Sequence, residues 1–157
     1  PKTPKPHFLE FNGIMGLKFL FGLTLASGIS LTSRKYFFRH GATNIPHPNK
    51  IKRGGEDGFS ASDDLLMVAD GVSAWMVTKG IDAGKYAKQL IFNAESLNDH
   101  DRAMGTDQML VQAIEEDHQQ GSSTAVVAKL QEDGKLQTTN LGDSGYMIFR
   151  PNDDNLT

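Results

Sequence analysis

A chain of 157 residues, 38 % hydrophobic and 22 % charged, has the size and composition of an ordinary globular domain rather than of a disordered segment. It holds no cysteine, which excludes disulfides, thiolate metal sites and a thiol nucleophile, so any metal must sit on oxygen or imidazole. The net charge of −3 hides a division: residues 1–53 carry nine Lys or Arg against Glu10 alone, while the rest is strongly acidic, and that acidic body argues against a nucleic-acid partner.

Residues 13–31 (GIMGLKFLFGLTLASGISL) are apolar or small at nearly every position, broken by Lys18 and flanked by Lys2, Lys5, Arg34 and Lys35. About 20 apolar residues span a bilayer, and Lys18 lies close enough to one end to snorkel. Basic, acid-poor flanks equally suit an organelle-targeting segment. Residues 1–35 are therefore expected to form a separate N-terminal segment with a hydrophobic helix, which anchors the chain in a membrane, targets it, or packs on a partner or on the body formed by residues 36–157.

Asn44 to Lys50 contain Pro46 and Pro48 and read as a loop, with His40 and His47 as solvated histidines rather than ligands. Residues 59–62 read as extended, Asp63-Asp64 as a turn, and residues 65–69 as a short apolar strand buried on both faces that ends in Asp70-Gly71. Residues 80–98 place Ala83, Ala87, Leu90, Ile91, Ala94 and Leu97 on one helical stripe, with Lys85, Lys88, Glu95 and Asn98 facing elsewhere. A second helix is expected from Thr106, as N-cap, to Ile114, with Met104 and Met109 as core filler. Residues 123–130 are β-rich, Asp133-Gly134 carries a hairpin signal, and residues 136–150 read as the returning strand, including Tyr146, Met147, Ile148 and Phe149. The order strand, strand, helix, helix, strand, strand is an α+β plan with helices covering an antiparallel sheet.

Three acidic positions stand beside glycines at predicted strand ends: Glu56-Asp57 after Gly54-Gly55, Asp70 before Gly71, and Asp143 after Gly142. Each could simply close a turn. Together they form the kind of oxygen donor set that hard divalent cations take. Ser122, Ser123 and Thr124 read as structural hydroxyls that pin turns and strand starts.

His47-Pro48-Asn49-Lys50, Gly54-Gly55-Glu56-Asp57, Val68-Ala69-Asp70-Gly71-Val72, Gly121-Ser122-Ser123-Thr124-Ala125 and Asn140-Leu141-Gly142-Asp143-Ser144-Gly145 stand in an order and spacing that resembles the PPM family, the metal-dependent type 2C serine/threonine phosphatases, in its organellar branch. The resemblance covers roughly residues 36–150. It implies two stacked antiparallel sheets flanked by helices, with two Mg²⁺ or Mn²⁺ ions in a cleft at the sheet edges. It implies that Asp70 bridges both ions, that Gly71 offers its carbonyl, and that Glu56 and Asp57 bind metal directly or through water. Asp143 matches the position that helps a third ion, and Arg53 lies near the family's phosphate-binding arginine. The reaction implied is hydrolysis of a phosphoprotein ester by a metal-activated water.

Two features depart from the family pattern. Ser73-Ala74 stand where the family continues with Gly-Gly, and a Cβ there is expected to crowd the metal-bound waters or forbid a positive φ. The family also draws further metal-binding aspartates from a C-terminal half, which nothing beyond Asp143 matches, so the sheet sandwich is expected to be incomplete. Two functions fit this pattern: a phosphoprotein phosphatase, or a degenerate phosphatase-like accessory subunit, a pseudoenzyme, docked on protein subunits of a membrane complex. A mitochondrial, membrane-associated location is expected from residues 13–31 and their flanks.

Overall fold

Residues 57–70 fold into two strands that pair antiparallel across a three-residue turn. The structure is a computed structural model and describes residues 36–150. Strands β1 (Asp57–Ala61), β2 (Leu65–Asp70), β3 (Ala125–Leu130) and β4 (Leu136–Leu141) form one antiparallel sheet in that spatial order. Between β2 and β3 lie helices α1 (Ala74–Lys79), α2 (Ala83–His100) and α3 (Thr106–Glu115). The α+β plan with an antiparallel sheet is therefore present. The described residues supply this one sheet of the two that the family resemblance implies. The hydrophobic segment 13–31 lies outside the described residues, and among the described residues no helix is long and apolar enough to cross a membrane.

Helices α2 and α3 cover one face of the sheet. Leu65, Met67 and Ala69 of β2 and Ala125 and Val127 of β3 are buried against Ala87, Leu90, Ala94, Met109 and Ala113. Small residues let the layers approach closely: a Cβ on Gly58 would lie 3.1 Å from Ile91 and 3.2 Å from the Ala87 carbonyl. The opposite face is only partly covered, with Val68 47 % and Phe59 43 % exposed. The strand from residue 65 is thus buried on one face, not two as its apolar run suggested, because both helices of any length pack on the same side.

Several expectations are corrected at their ends. Pro48 does not exclude helix: Pro48–Arg53 form a 3₁₀ turn, with proline at the first position where its missing N–H costs nothing, and His47 Nδ1 accepts the Asn49 N–H. Gly105, not Thr106, is the N-cap of α3, and the Thr106 hydroxyl instead pairs with Thr139 of β4 at 2.8 Å. The last strand ends at Leu141, not at residue 150. Leu141 pairs with Ala125, where β3 begins, so β3 offers no residue to pair with 142–150, and Gly142 turns the chain away at φ 89°. Tyr146, Met147, Ile148 and Phe149 are consequently outside the sheet and exposed.

Asn98 is buried rather than outward-facing, and Asp64 is more than a turn residue. The buried Asp64 carboxylate accepts from Asn98 Nδ2 and Arg102 Nη1, both at 3.3 Å, and its carbonyl accepts the Leu130 N–H at 2.8 Å. One residue thereby ties the end of α2 to the start of β2 and the end of β3. Asp64→Ala leaves the buried Asn98 amide short of a partner and is expected to cost about 1–3 kcal/mol, read in urea as a lower midpoint at an unchanged slope.

Candidate metal centre

Two aspartates face each other across the β1–β2 ladder. The register places Asp57 directly opposite Asp70, on the sheet face away from the helices, at the same edge. Cross-strand partners hold their Cβ atoms about 5 Å apart, so the backbone itself brings two carboxyl groups together. Burial raises the Asp70 carboxyl above the ordinary aspartate range, a hydrogen bond to Asp57 and the charges of Asp57 and Asp143 raise it further, and Lys50 opposes them. Like charges set opposite each other destabilise a sheet unless a proton or a cation lies between them.

The surrounding backbone fixes this strand end tightly. The Gly71 N–H donates to the Glu56 carbonyl at 3.1 Å, and a Cβ on Gly71 would fall 2.7 Å from the Ala83 carbonyl and 2.8 Å from that of Glu56, so only glycine fits. Thr124 braces the other side: its N–H donates to the Asp70 carbonyl at 2.9 Å, and its hydroxyl accepts the Asp70 N–H at 3.3 Å and pairs with Ser144 at 2.5 Å. Ser144 comes directly after Asp143 and lines, with Asp57, Phe59, Val68, Asp70 and Asn44, a cavity of about 250 Å³. Ser122 accepts the Trp75 indole N–H at 2.8 Å. The hydroxyls of Ser122 and Thr124 thus have structural partners, as their positions suggested.

Glu56 is turned the other way. Its side chain is 3 % exposed, and Oε2 accepts from the Lys50 ammonium and from the Ser73 hydroxyl. Lys50 also donates to Ser73 Oγ at 2.5 Å. Burial pushes the Glu56 carboxyl up, but the hydrogen bonds from Lys50 and Ser73 and the charges of Lys50 and Arg53 hold it below the usual range. Arg53 stands between Glu56 Oε1 at 3.8 Å and Asp82 Oδ1 at 3.9 Å. Asp82 caps α2 by accepting the Gly84 N–H.

Of the positions singled out in the sequence, the structure brings Asp57 and Asp70 into contact, sets Asp143 within electrostatic reach of them, and pairs Glu56 and Arg53 behind that edge. Among the described residues no three acidic or imidazole side chains converge tightly enough to cage a metal alone. A carboxylate pair open to solvent nevertheless fits Mg²⁺ or Mn²⁺, which keep much of their water shell and need few protein oxygens. Lys50 and Ser73 were not recognised as site residues from the sequence. Lys50 stood in the His-Pro-Asn-Lys motif, which was the available signal; Ser73 had only the signal of replacing a glycine. No positive φ is needed at Ser73, whose φ of −56° and ψ of −24° are ordinary helical values.

No protein-family profile matches the chain. The chain is 38 % identical over 127 residues to probable protein phosphatase 2C 71 of Oryza sativa subsp. japonica, covering 78 % of this chain and 27 % of that one. It is 36 % identical over 110 residues to probable protein phosphatase 2C 26 of Arabidopsis thaliana, covering 68 % and 37 %. The photosystem II phosphatase PBCP is a structural neighbour with a TM-score of 0.58 at 31 % identity, over 63 % of this chain and 40 % of that one. The chain spans about a quarter of the length of the first of these relatives.

Because the Asp70 carboxyl is raised in the folded state, its ionisation opposes folding above that raised value, and the penalty fades as the pH falls toward the ordinary 3.8. Asp70→Asn in chelator is expected to melt above the wild type at pH 7, by no more than about 1 kcal/mol because the pair is exposed to solvent. The difference should close as the pH approaches 3.8, the ordinary aspartate value. Thermal melts across that range, with and without Mn²⁺, check both this and the expected loss of Mn²⁺ protection in the variant.

Proposed function

We propose that the chain, which belongs to the PPM family of type 2C protein phosphatases, carries part of the catalytic centre of a serine/threonine phosphoprotein phosphatase. The observation that carries this reading is the register of β1 on β2, which sets Asp57 against Asp70 at an open sheet edge. Asp57 and Asp70 would hold the metals, with the Gly71 carbonyl beside them and the Asp143 charge close by. When bound, two Mg²⁺ or Mn²⁺ ions supply a water of lowered pKa and neutralise the phosphoryl oxygens.

The remaining residues bind and orient. The Arg53 side chain is 32 % exposed and its two ion pairs are longer than hydrogen bonds, so the guanidinium retains donors for a phosphoryl oxygen. Thr124 and Ser144 hold the Asp70 backbone and the Asp143 turn in register. The substrate class in this reading is a phosphorylated serine or threonine in a protein. Ser73, which departs from the family's glycine, is hydrogen-bonded to Glu56 and Lys50.

The test is Mn²⁺-dependent release of phosphate from a phosphoserine peptide by the purified protein. Turnover that falls at least about 100-fold in Asp70→Asn is expected, since several kcal/mol of metal stabilisation would be removed. Mn²⁺ binding without any turnover on phosphoserine or phosphothreonine peptides would overturn the phosphatase reading.

A mitochondrial, membrane-associated location is part of the same proposal, supported by the apolar run 13–31 between basic flanks. A fluorescent fusion carrying residues 1–53 should enter mitochondria and resist carbonate extraction. A diffuse signal, or release by carbonate, would overturn it.

A further inference from the structure

Glu56 and Asp57 are adjacent, but Glu56 lies in the bend just before β1 and Asp57 is its first residue. Asp57 is exposed on the open face of the sheet, opposite Asp70, while Glu56 is buried behind the edge. The Glu56 carboxylate is already enclosed: Oε2 takes the Lys50 ammonium and the Ser73 hydroxyl, and Oε1 faces the Arg53 guanidinium at 3.8 Å. Two positive charges therefore stand at one carboxylate. The Lys50 charge also acts on the Asp70 carboxyl, against the charges of Asp57 and Asp143.

We propose that Lys50 is the resident cation of this centre: its ammonium takes the Glu56 carboxylate and confines divalent metal to the Asp57–Asp70 end. The inference rests on the metal-binding reading above and departs from one expectation of the family resemblance. Glu56 is a lysine anchor rather than a metal ligand, directly or through water. The physical reason is competition. A divalent ion approaching Glu56 would meet a carboxylate with no net charge to offer and two cations within ion-pair range, whereas at Asp57 and Asp70 it meets two carboxylates that repel each other. Ser73 completes the arrangement by hydrogen bonding with both partners, a role that glycine at this position cannot fill.

Lys50 is thus a positioning residue, and it acts on metal affinity. Isothermal calorimetry of the purified protein with Mn²⁺ provides the test, read as affinity and stoichiometry. Lys50→Met is expected to bind Mn²⁺ about tenfold more tightly, because a positive charge beside Asp70 is removed and Glu56 is released. Lys50→Arg should keep wild-type affinity, and Lys50→Met/Glu56→Gln, which removes both charges of the pair, should leave it within about twofold. A melt in chelator shows that each variant is folded before titration.

Mn²⁺ affinity that stays unchanged or falls in a folded Lys50→Met protein would overturn the proposal, as would a tenfold loss, relative to wild type, in folded Lys50→Met/Glu56→Gln, which would make Glu56 a ligand. These outcomes differ from failure of the underlying reading. If wild-type protein binds no Mn²⁺ and Asp70→Asn behaves identically, the metal centre itself is refuted and this inference falls with it.

Discussion

The pairing of β1 with β2 is the constraint on which the site depends. Its register sets Asp57 against Asp70, and a slip of one residue would carry one of the two carboxyl groups to the helix-covered face. The register is held from the other side of the sheet, where Leu65, Met67 and Ala69 are buried beneath the helices and would be exposed by the same slip. Hydrophobic burial on one face therefore maintains a like-charge contact on the other.

Close backbone approach does the rest. Gly58, Gly71 and Gly84 lie where a Cβ would press on Ala87, on Ala83 and on Gly55, so the first turns of α2 sit hard against the strand ends. Asp82 caps α2 at that place and shares the Arg53 guanidinium with Glu56. The same packing that seats the helix thus brings the basic 3₁₀ turn, the buried Glu56 and the exposed aspartate pair into one neighbourhood. The centre has two chemically different ends, one neutralised by protein cations and one left acidic.

Much of this was legible in the chain. The α2 stripe is visible in the spacing of its apolar residues, and all six predicted positions are buried. The Asp-Gly hairpin is dictated by turn chemistry, with Gly134 at φ 85°. The motif series around Asp70 pointed to the same family as the relatives and the structural neighbour. Errors gathered where a local signal met a tertiary fact. The run from residue 65 could not reveal that helices pack on one face only, and Thr106 has good capping chemistry but finds Thr139 within reach.

Residue types and their spacing determined the elements, the family and the acidic positions that matter, because periodicity, turn chemistry and motif order are local properties of a chain. They could not assign partners. Glu56 and Asp57 are indistinguishable as neighbours in the sequence, and Lys50 looks like one basic residue among several. Only the tertiary structure separates them: Asp57 opens β1 on its exposed face while Glu56 lies buried in the bend before it, and the fold brings Lys50 and Ser73 to Glu56 across 6 and 17 residues of chain. Charge pairing depends on distances through space, which a pattern along the chain does not encode.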